Sequence, residues 1–139
     1  MTPHLLRVER PVVEFGELVA AVRQSGLRAG WLDLAGREAV APEPLPADLT
    51  DAAEAGVLRA VAIGGGRSVA LKPMRGEPVL RDVLREHFRG CHLVLVRGRV
   101  PAPRLTPAGP DRWVLETEDA RRELATDDLV AALRKPRPF

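Results

Sequence analysis

Tyrosine is absent from the sequence, and aromatic residues make up only 4% of it. Base-stacking platforms for single-stranded nucleic acid are built from aromatic side chains, so this scarcity argues against such a platform. Cys91 is the single cysteine, which excludes an intrachain disulfide and is typical of a reducing, cytoplasmic environment. The two serines, Ser25 and Ser68, both lie outside the Gly-x-Ser-x-Gly pattern of a hydrolase nucleophile.

Long apolar runs are also missing, since none approaches the roughly 18–20 residues that a membrane-spanning helix needs. We therefore expect no membrane partner. The first four residues do not lead from a basic segment into a long apolar core, so no secretory signal is expected. With 139 residues, 45% of them apolar, the chain fits one domain with one core. We assign residues 1–135 to that domain and 136–139 to a short basic tail.

The hydrophobic periodicity predicts a single α+β domain with a mixed, mostly antiparallel sheet and about three short helices. Strands are predicted at residues 5–13, 31–34, 57–63, 68–71, 93–96 and 113–115. Helices are predicted at 17–25 and after Thr126, which suits a helix cap, and a helical turn at 49–55. The three glycines at 64–66 suit a hairpin turn, and the proline-rich stretch 41–46 suits an extended connection.

The best-patterned stretch is residues 77–104. Apolar residues recur at helical spacing after Pro78, which suits the first position of a helix, so we predict a helix rather than a strand over 78–84. Gly90 is expected to end that helix in a left-handed conformation. The apolar run 93–96 then predicts a buried strand, and the prolines at 101 and 103 limit any later pairing to an edge.

Five arginines of this stretch form a candidate set for binding the phosphates of nucleic acid or another anion. They are Arg81, Arg85 and Arg89, spaced four apart along one predicted helix face, and Arg97 and Arg99 after the strand. Residues 57–104 carry ten basic and three acidic side chains, a net charge of +7, whereas residues 1–56 have a net charge of −4. This asymmetry could attract an anionic partner or the acidic part of a second copy. The alternative is a solvated helix face.

Three short motifs resemble known sites but lack essential parts. The glycines at 64–66 precede an apparent strand, whereas a phosphate loop opens a helix. The strand that ends at Lys72 resembles the lysine strand of kinases without the remaining kinase motifs. His87, Cys91 and His92 are three possible metal ligands, but Gly90 separates His87 from the other two and no fourth ligand is evident, so we predict neither a metal nor a cofactor. The basic tail at 134–138 is a candidate for a minor-groove arm or a disordered terminus.

Three segments together resemble the plant and prokaryote conserved (PPC) domain family. Residues 17–32 are similar to its first helix and second strand, and residues 57–65 to its strand with a glycine turn. Gly76-Glu77-Pro78, Gly90-Cys91-His92-Leu93 and Gly98-Arg99-Val100 are similar to its Gly-x-Pro strand and Gly-Gly-His-Leu segment. The paired histidines of the family are missing, with Arg81 and Asp82 standing nearby, and only His92 remains.

The resemblance covers about residues 5–116 and implies an α+β domain that assembles into trimers, with a strand over 79–84. We predict a non-enzymatic, cytoplasmic binding or scaffolding protein that forms a homo-oligomer. The first alternative is a nucleic-acid-associated protein that uses the five arginines. The second is a small-molecule binder or enzyme with a cleft between subunits around Lys72 and His92.

Overall fold

The computed structural model describes residues 2–34, 47–74 and 76–136. Within these ranges the chain forms eight strands and four α-helices, which confirms the predicted α+β class. The strands are β1 (His4–Val8), β2 (Ala29–Asp33), β3 (Ala60–Gly64), β4 (Arg67–Leu71), β5 (Leu93–Arg97), β6 (Arg104–Pro107), β7 (Arg112–Glu116) and β8 (Arg121–Ala125). The helices are α1 (Gly16–Gln24), α2 (Ala47–Glu54), α3 (Leu80–His87) and α4 (Thr126–Leu133). The connection predicted over 41–46 and the tail residues 137–139 lie outside the described residues.

The chain divides into two units, Met1–Glu38 with Leu84–Phe139 and Ala39–Val83. A six-stranded sheet belongs to the larger unit, and the β3–β4 hairpin with α2 belongs to the smaller one. The boundary between the units falls inside α3. The assignment of residues 1–135 to one domain with a separate tail stays a prediction.

The six-stranded sheet has the strand order β2-β5-β1-β6-β7-β8. Strands β2, β5, β1 and β6 are parallel to one another, and β6, β7 and β8 continue as an antiparallel meander. Together with the antiparallel hairpin, three of the six strand pairs in the described residues are parallel and three antiparallel. Strands β1 and β2, which α1 connects, are both parallel to β5, which lies between them. Residues 93–96 of β5 are all buried, and because successive side chains point to opposite faces, both faces of the sheet are covered at β5.

One face of this sheet carries the hydrophobic core, covered by α1 and α4. The core contains Leu6, Val8, Phe15, Leu18, Val22, Leu27, Leu93, Leu95, Leu105, Trp113, Leu115, Leu129, Val130 and Leu133. The helical periodicity predicted most of the α1 and α4 members, because residues three and four apart share a helix face. Phe15 stacks on Trp113 with ring centroids 5.8 Å apart, which links the start of α1 to β7.

Several element boundaries differ from the prediction. The first strand ends at Val8 rather than residue 13, because Pro11 has no N–H for a sheet and the chain then forms a 3-10 turn over Val12–Phe15. Val12 is 51% exposed. Helix α3 begins at Leu80, so Pro78 precedes it instead of occupying its first turn. The helix predicted over 78–84 is otherwise confirmed, and the strand that the PPC resemblance implies there is wrong.

The expected cap of α4 is also different. Thr126 is the first helical residue and not the cap, and its backbone N–H donates to Asp111 Oδ1 at 3.1 Å. The carboxylate that caps the helix therefore comes from the β6–β7 turn, where Asp111 has φ +57°. The Thr126 hydroxyl instead accepts a 2.8 Å hydrogen bond from the Trp113 indole N–H.

The β3–β4 hairpin matches the glycine-turn prediction. Gly65 and Gly66 occupy the turn with φ +58° and +76°, and a turn with two positive φ values is strained for residues other than glycine, asparagine or aspartate. Strand β3 begins at Ala60 rather than at residue 57. Helix α2 packs on one side of the hairpin, where Leu49 and Ala60 are buried.

Candidate binding surfaces

The five arginines proposed for anion binding are all exposed. Arg85 lies on α3 and Arg89 follows it, so Arg89 precedes the amino end of β5. Arg97 is the last residue of β5, and Arg99 follows it. The five-residue strand between them spans about 13 Å. The structure therefore separates Arg89 from Arg97 and Arg99 along the strand direction instead of gathering them at one end of the sheet. Arg81 is on the part of α3 that belongs to the smaller unit.

The two residues proposed for a ligand cleft lie in different units. Lys72 follows β4 in the smaller unit, and His92 precedes β5 in the larger one. The His92 ring Nδ1 accepts a 3.0 Å hydrogen bond from the Arg28 backbone N–H, and the His92 backbone N–H donates to the Arg28 carbonyl at 2.8 Å. The His92 carbonyl accepts from the His4 N–H at 2.8 Å. His92 thus joins the amino ends of β2, β5 and β1, which is a structural role for the residue.

Cys91 is half-buried and lies beside Gly30 of β2. Phe88, which follows α3, packs against the same glycine. A Cβ atom at Gly30 would lie 2.5 and 2.8 Å from two ring carbons of Phe88 and 3.3 Å from the Cys91 sulfur. The absence of a side chain at residue 30 therefore lets Phe88 pack directly on β2. Among the described residues, no three His, Cys, Asp or Glu side chains come together as a metal site would require.

The hairpin of the smaller unit has an apolar face exposed to solvent. We define the hairpin face as Val61 and Ile63 of β3 with Ser68 and Ala70 opposite them on β4. These residues point to the same side because paired residues of antiparallel strands share a face. Val61 is 52% exposed and Ile63 is 82% exposed, and the hairpin face contains no charged residue.

A row of charged residues crosses the other sheet of the molecule, in the larger unit. We define the charged row as Arg7 of β1, Arg104 of β6, Glu116 of β7 and Arg121 of β8, which are successive register partners. Leu6 and Val8 point into the core, so Arg7 between them points to the opposite face. The charged row therefore lies on the sheet face away from α1 and α4.

Ion pairs connect most of the charged row. Arg104 Nη2 donates to Glu116 Oε2 at 3.0 Å, and Arg104 Nη1 lies 3.6 Å from Glu9 Oε1. Glu116 Oε1 is 3.8 Å from Arg121 Nε. The hydrogen bond and negative charge of Glu116, with a smaller effect of Glu9, raise the pKa of Arg104 above its ordinary value. Arg104 is thus held by two carboxylates, while its neighbour Arg7 is not bonded to either of them.

Sequence reasoning did not identify the hairpin face or the charged row as sites. The alternation of Leu6, Arg7 and Val8 already places Arg7 on the outer face of a strand. Its neighbour Arg104 could not be found in the same way, because prolines at 101 and 103 precede β6 and Pro107 ends it, a pattern that argues against a strand.

Comparisons with known proteins provide a fold but no family. No protein-family model matches the chain, and no curated protein matches it. The fold is similar to that of MobB from Bacillus subtilis. That crystal structure matches with a TM-score of 0.54 and 18% sequence identity over 73% of this chain, and the match spans 65% of the MobB chain. At this identity the likeness concerns the fold alone. The resemblance to the PPC family stays a prediction.

None of the helices in the described residues has both the length and the apolar character of a membrane span.

Proposed function

We propose that the protein is a non-enzymatic, cytoplasmic binding or scaffolding module that self-associates, with two copies packing hairpin face against hairpin face. The observation that carries this proposal is the exposure of Val61 and Ile63 on a charge-free sheet surface. Exposed apolar surface that is contiguous and uncharged is characteristic of interaction sites in soluble proteins.

The exposed apolar side chains of the described residues are concentrated in the smaller unit, which contains the hairpin face. Ten large apolar residues are exposed in the described residues, and seven of them lie between residues 57 and 79. Those seven are Val57, Leu58, Val61, Ile63, Val69, Met74 and Val79. A two-stranded sheet is marginally stable in water by itself, so it gains more than a larger sheet would from a covering partner.

A second copy fits the hairpin face better than a charged partner does. Two identical faces related by a twofold axis bring Ile63 and Val61 of one copy against the same residues of the other. No like charges oppose each other, because the hairpin face has none. Twofold packing of this kind produces a dimer, whereas the PPC resemblance implies a trimer, so the mass of the assembly distinguishes the two.

The test is light scattering behind size exclusion at low and high salt. We expect a dimer at both salt concentrations, because an apolar contact is not weakened by screening. Full burial of an isoleucine stabilises by about 1.5–3 kcal/mol. Since Ile63 is 82% exposed and the dimer contains two copies, the pair contributes about 2.5–5 kcal/mol.

Ile63→Glu should therefore weaken the dimer by at least roughly 60-fold. Val13→Glu is the matched control, because Val13 is 80% exposed in the larger unit and should leave the dimer unchanged. A monomeric wild type would overturn the proposal. A trimer unaffected by Ile63→Glu would support the assembly that the PPC resemblance implies and reject the hairpin face as its contact.

The nucleic-acid alternative has weaker support because the five arginines are divided along β5. Its test is a shift assay with labelled duplex and single strand at low salt, in which binding should weaken steeply as salt is added. A shift that Arg97→Gln and Arg85→Gln both reduce would favour this alternative. The cleft alternative requires Lys72 and His92 to act together, and Lys72→Gln should then lower the affinity of any metabolite found by thermal-shift screening.

A further inference from the structure

The charged row contains one arginine without a protein partner. Arg7 makes no side-chain hydrogen bond or ion pair in the part of the chain that the structure describes, and its Nε atom is buried. Arg104 is paired through its two Nη atoms, but its Nε is likewise buried without an acceptor. An unsatisfied buried donor on a charged group is costly, so native proteins normally satisfy it with protein, water or ligand.

The two arginines are neighbours in the sheet. Arg7 of β1 and Arg104 of β6 are register partners, so their backbones are about 4.8 Å apart and their side chains leave the same face. Two cations held side by side repel each other unless anionic groups lie between or beside them. Glu9 and Glu116 form ion pairs with Arg104, and neither forms one with Arg7.

Apolar side chains lie on either side of the two arginines, on the neighbouring strands β5 and β7. Val96 is the β5 partner of Arg7 and is fully buried. Val114 on β7 is 6% exposed and lies on the same face, opposite the half-buried Thr106 of β6. An ion beside these residues loses part of its water contact, which strengthens its attraction to a guanidinium. The Thr106 hydroxyl is a hydrogen-bonding group on the same strand as Arg104.

We propose that Arg7 and Arg104 form a binding site for a small oxyanion, a phosphate or carboxylate group, on the face of the six-stranded sheet opposite α1 and α4. Guanidinium groups bind such oxyanions with paired, charge-assisted N–H···O bonds. The Arg7 guanidinium contributes most of the binding because Arg104 already holds two carboxylates. The site is separate from the five arginines of the sequence-based hypothesis, and it does not depend on self-association.

The experiment follows the arginine Nε–H signals of the protein by NMR during titration. Sodium phosphate, sodium citrate and sodium acetate are added in separate arms, each against sodium chloride at matched ionic strength. We expect the Arg7 and Arg104 Nε–H signals, assigned with Arg7→Lys and Arg104→Lys respectively, to shift saturably with phosphate or with the carboxylates and not with chloride. The arm with the tightest binding identifies the oxyanion class.

Variants then test which residue binds. Arg7→Gln removes the charge and should weaken binding at least tenfold, and Arg7→Lys keeps the charge but loses the Nε–H and should weaken it by less. Arg122→Gln is the matched control, because Arg122 is an exposed arginine of β8 whose position puts it on the other sheet face. Circular dichroism checks that each variant is folded. Absence of any saturable shift, or equal binding by wild type and Arg7→Lys with unshifted Nε–H signals, would overturn the proposal.

Discussion

The buried hydrogen bond between Trp113 and Thr126 provides a quantitative test of the core. The indole N–H of Trp113 donates to the Thr126 hydroxyl at 2.8 Å, and the two residues are 2% and 4% exposed. The Thr126 backbone N–H donates to Asp111 Oδ1 at 3.1 Å. Since the indole can only donate, the Thr126 hydroxyl is the acceptor of the buried bond, and Thr126 is hydrogen-bonded to both Trp113 and Asp111.

Thr126→Val retains the shape of the side chain and removes its hydroxyl. The Trp113 N–H then remains buried without an acceptor, which costs about 1–3 kcal/mol of unfolding free energy. For 139 residues this corresponds to a decrease of about 3–10 °C in Tm. Thr126→Ser is the control, because it keeps the hydroxyl and loses only a buried methyl group, worth about 0.8 kcal/mol.

The assay is thermal and urea unfolding followed by tryptophan fluorescence, since Trp31 and Trp113 both belong to the larger unit. A double-mutant cycle with Trp113→Phe separates the hydrogen bond from the lost volume. In the Trp113→Phe background, where no indole donor is stranded, Thr126→Val should cost about 1–2 kcal/mol less than in the wild type. Equal costs in both backgrounds would refute the reasoning.

Two further predictions concern Gly30 and Asp111. Gly30→Ala places a Cβ 2.5 Å from the Phe88 ring, so we expect a loss of about 1–3 kcal/mol by urea unfolding, largely recovered by Phe88→Leu. Hydrogen bonds from the Thr126 hydroxyl and N–H lower the pKa of Asp111. Because the pKa of this carboxyl is lower in the folded protein than in the unfolded chain, its ionised form stabilises the folded state at pH values above the unfolded pKa. That stabilisation is lost as the pH falls through the folded pKa. The Tm difference between wild type and Asp111→Asn should therefore be constant above about pH 5 and shrink below about pH 4.

Local sequence signals predicted the elements that depend on neighbours in the chain. The helices around Leu18 and Leu129 and the buried strand at 93–96 follow from periodicity, and the β3–β4 hairpin follows from its glycines. Two strands were missed for opposite reasons. Strand β6 follows two prolines and ends in a third, and β8 begins with Arg-Arg-Glu and shows no apolar alternation. Both form because β7 supplies their hydrogen-bonding partners, which is tertiary information.

The binding surfaces were harder to predict because they depend on strand register. Arg7 and Arg104 are 97 positions apart in sequence, yet they become neighbours through the pairing of β1 with β6. The five arginines proposed for anion binding were evident in the sequence, but the length of β5 separates Arg89 from Arg97 and Arg99. The cap of α4 was assigned to Thr126 because the residue type is suitable, whereas the structure uses a carboxylate from a preceding turn.

The two proposed binding surfaces provide controls for each other. Every residue of the anion site belongs to the larger unit, and every residue of the hairpin face belongs to the smaller one. Ile63→Glu should therefore dissociate the dimer and leave the Nε–H response of Arg7 to oxyanion unchanged. Arg7→Gln should abolish that response and leave the mass in solution unchanged. If Ile63→Glu also removed the response of Arg7, oxyanion binding would require the second copy, and the two surfaces could not be independent.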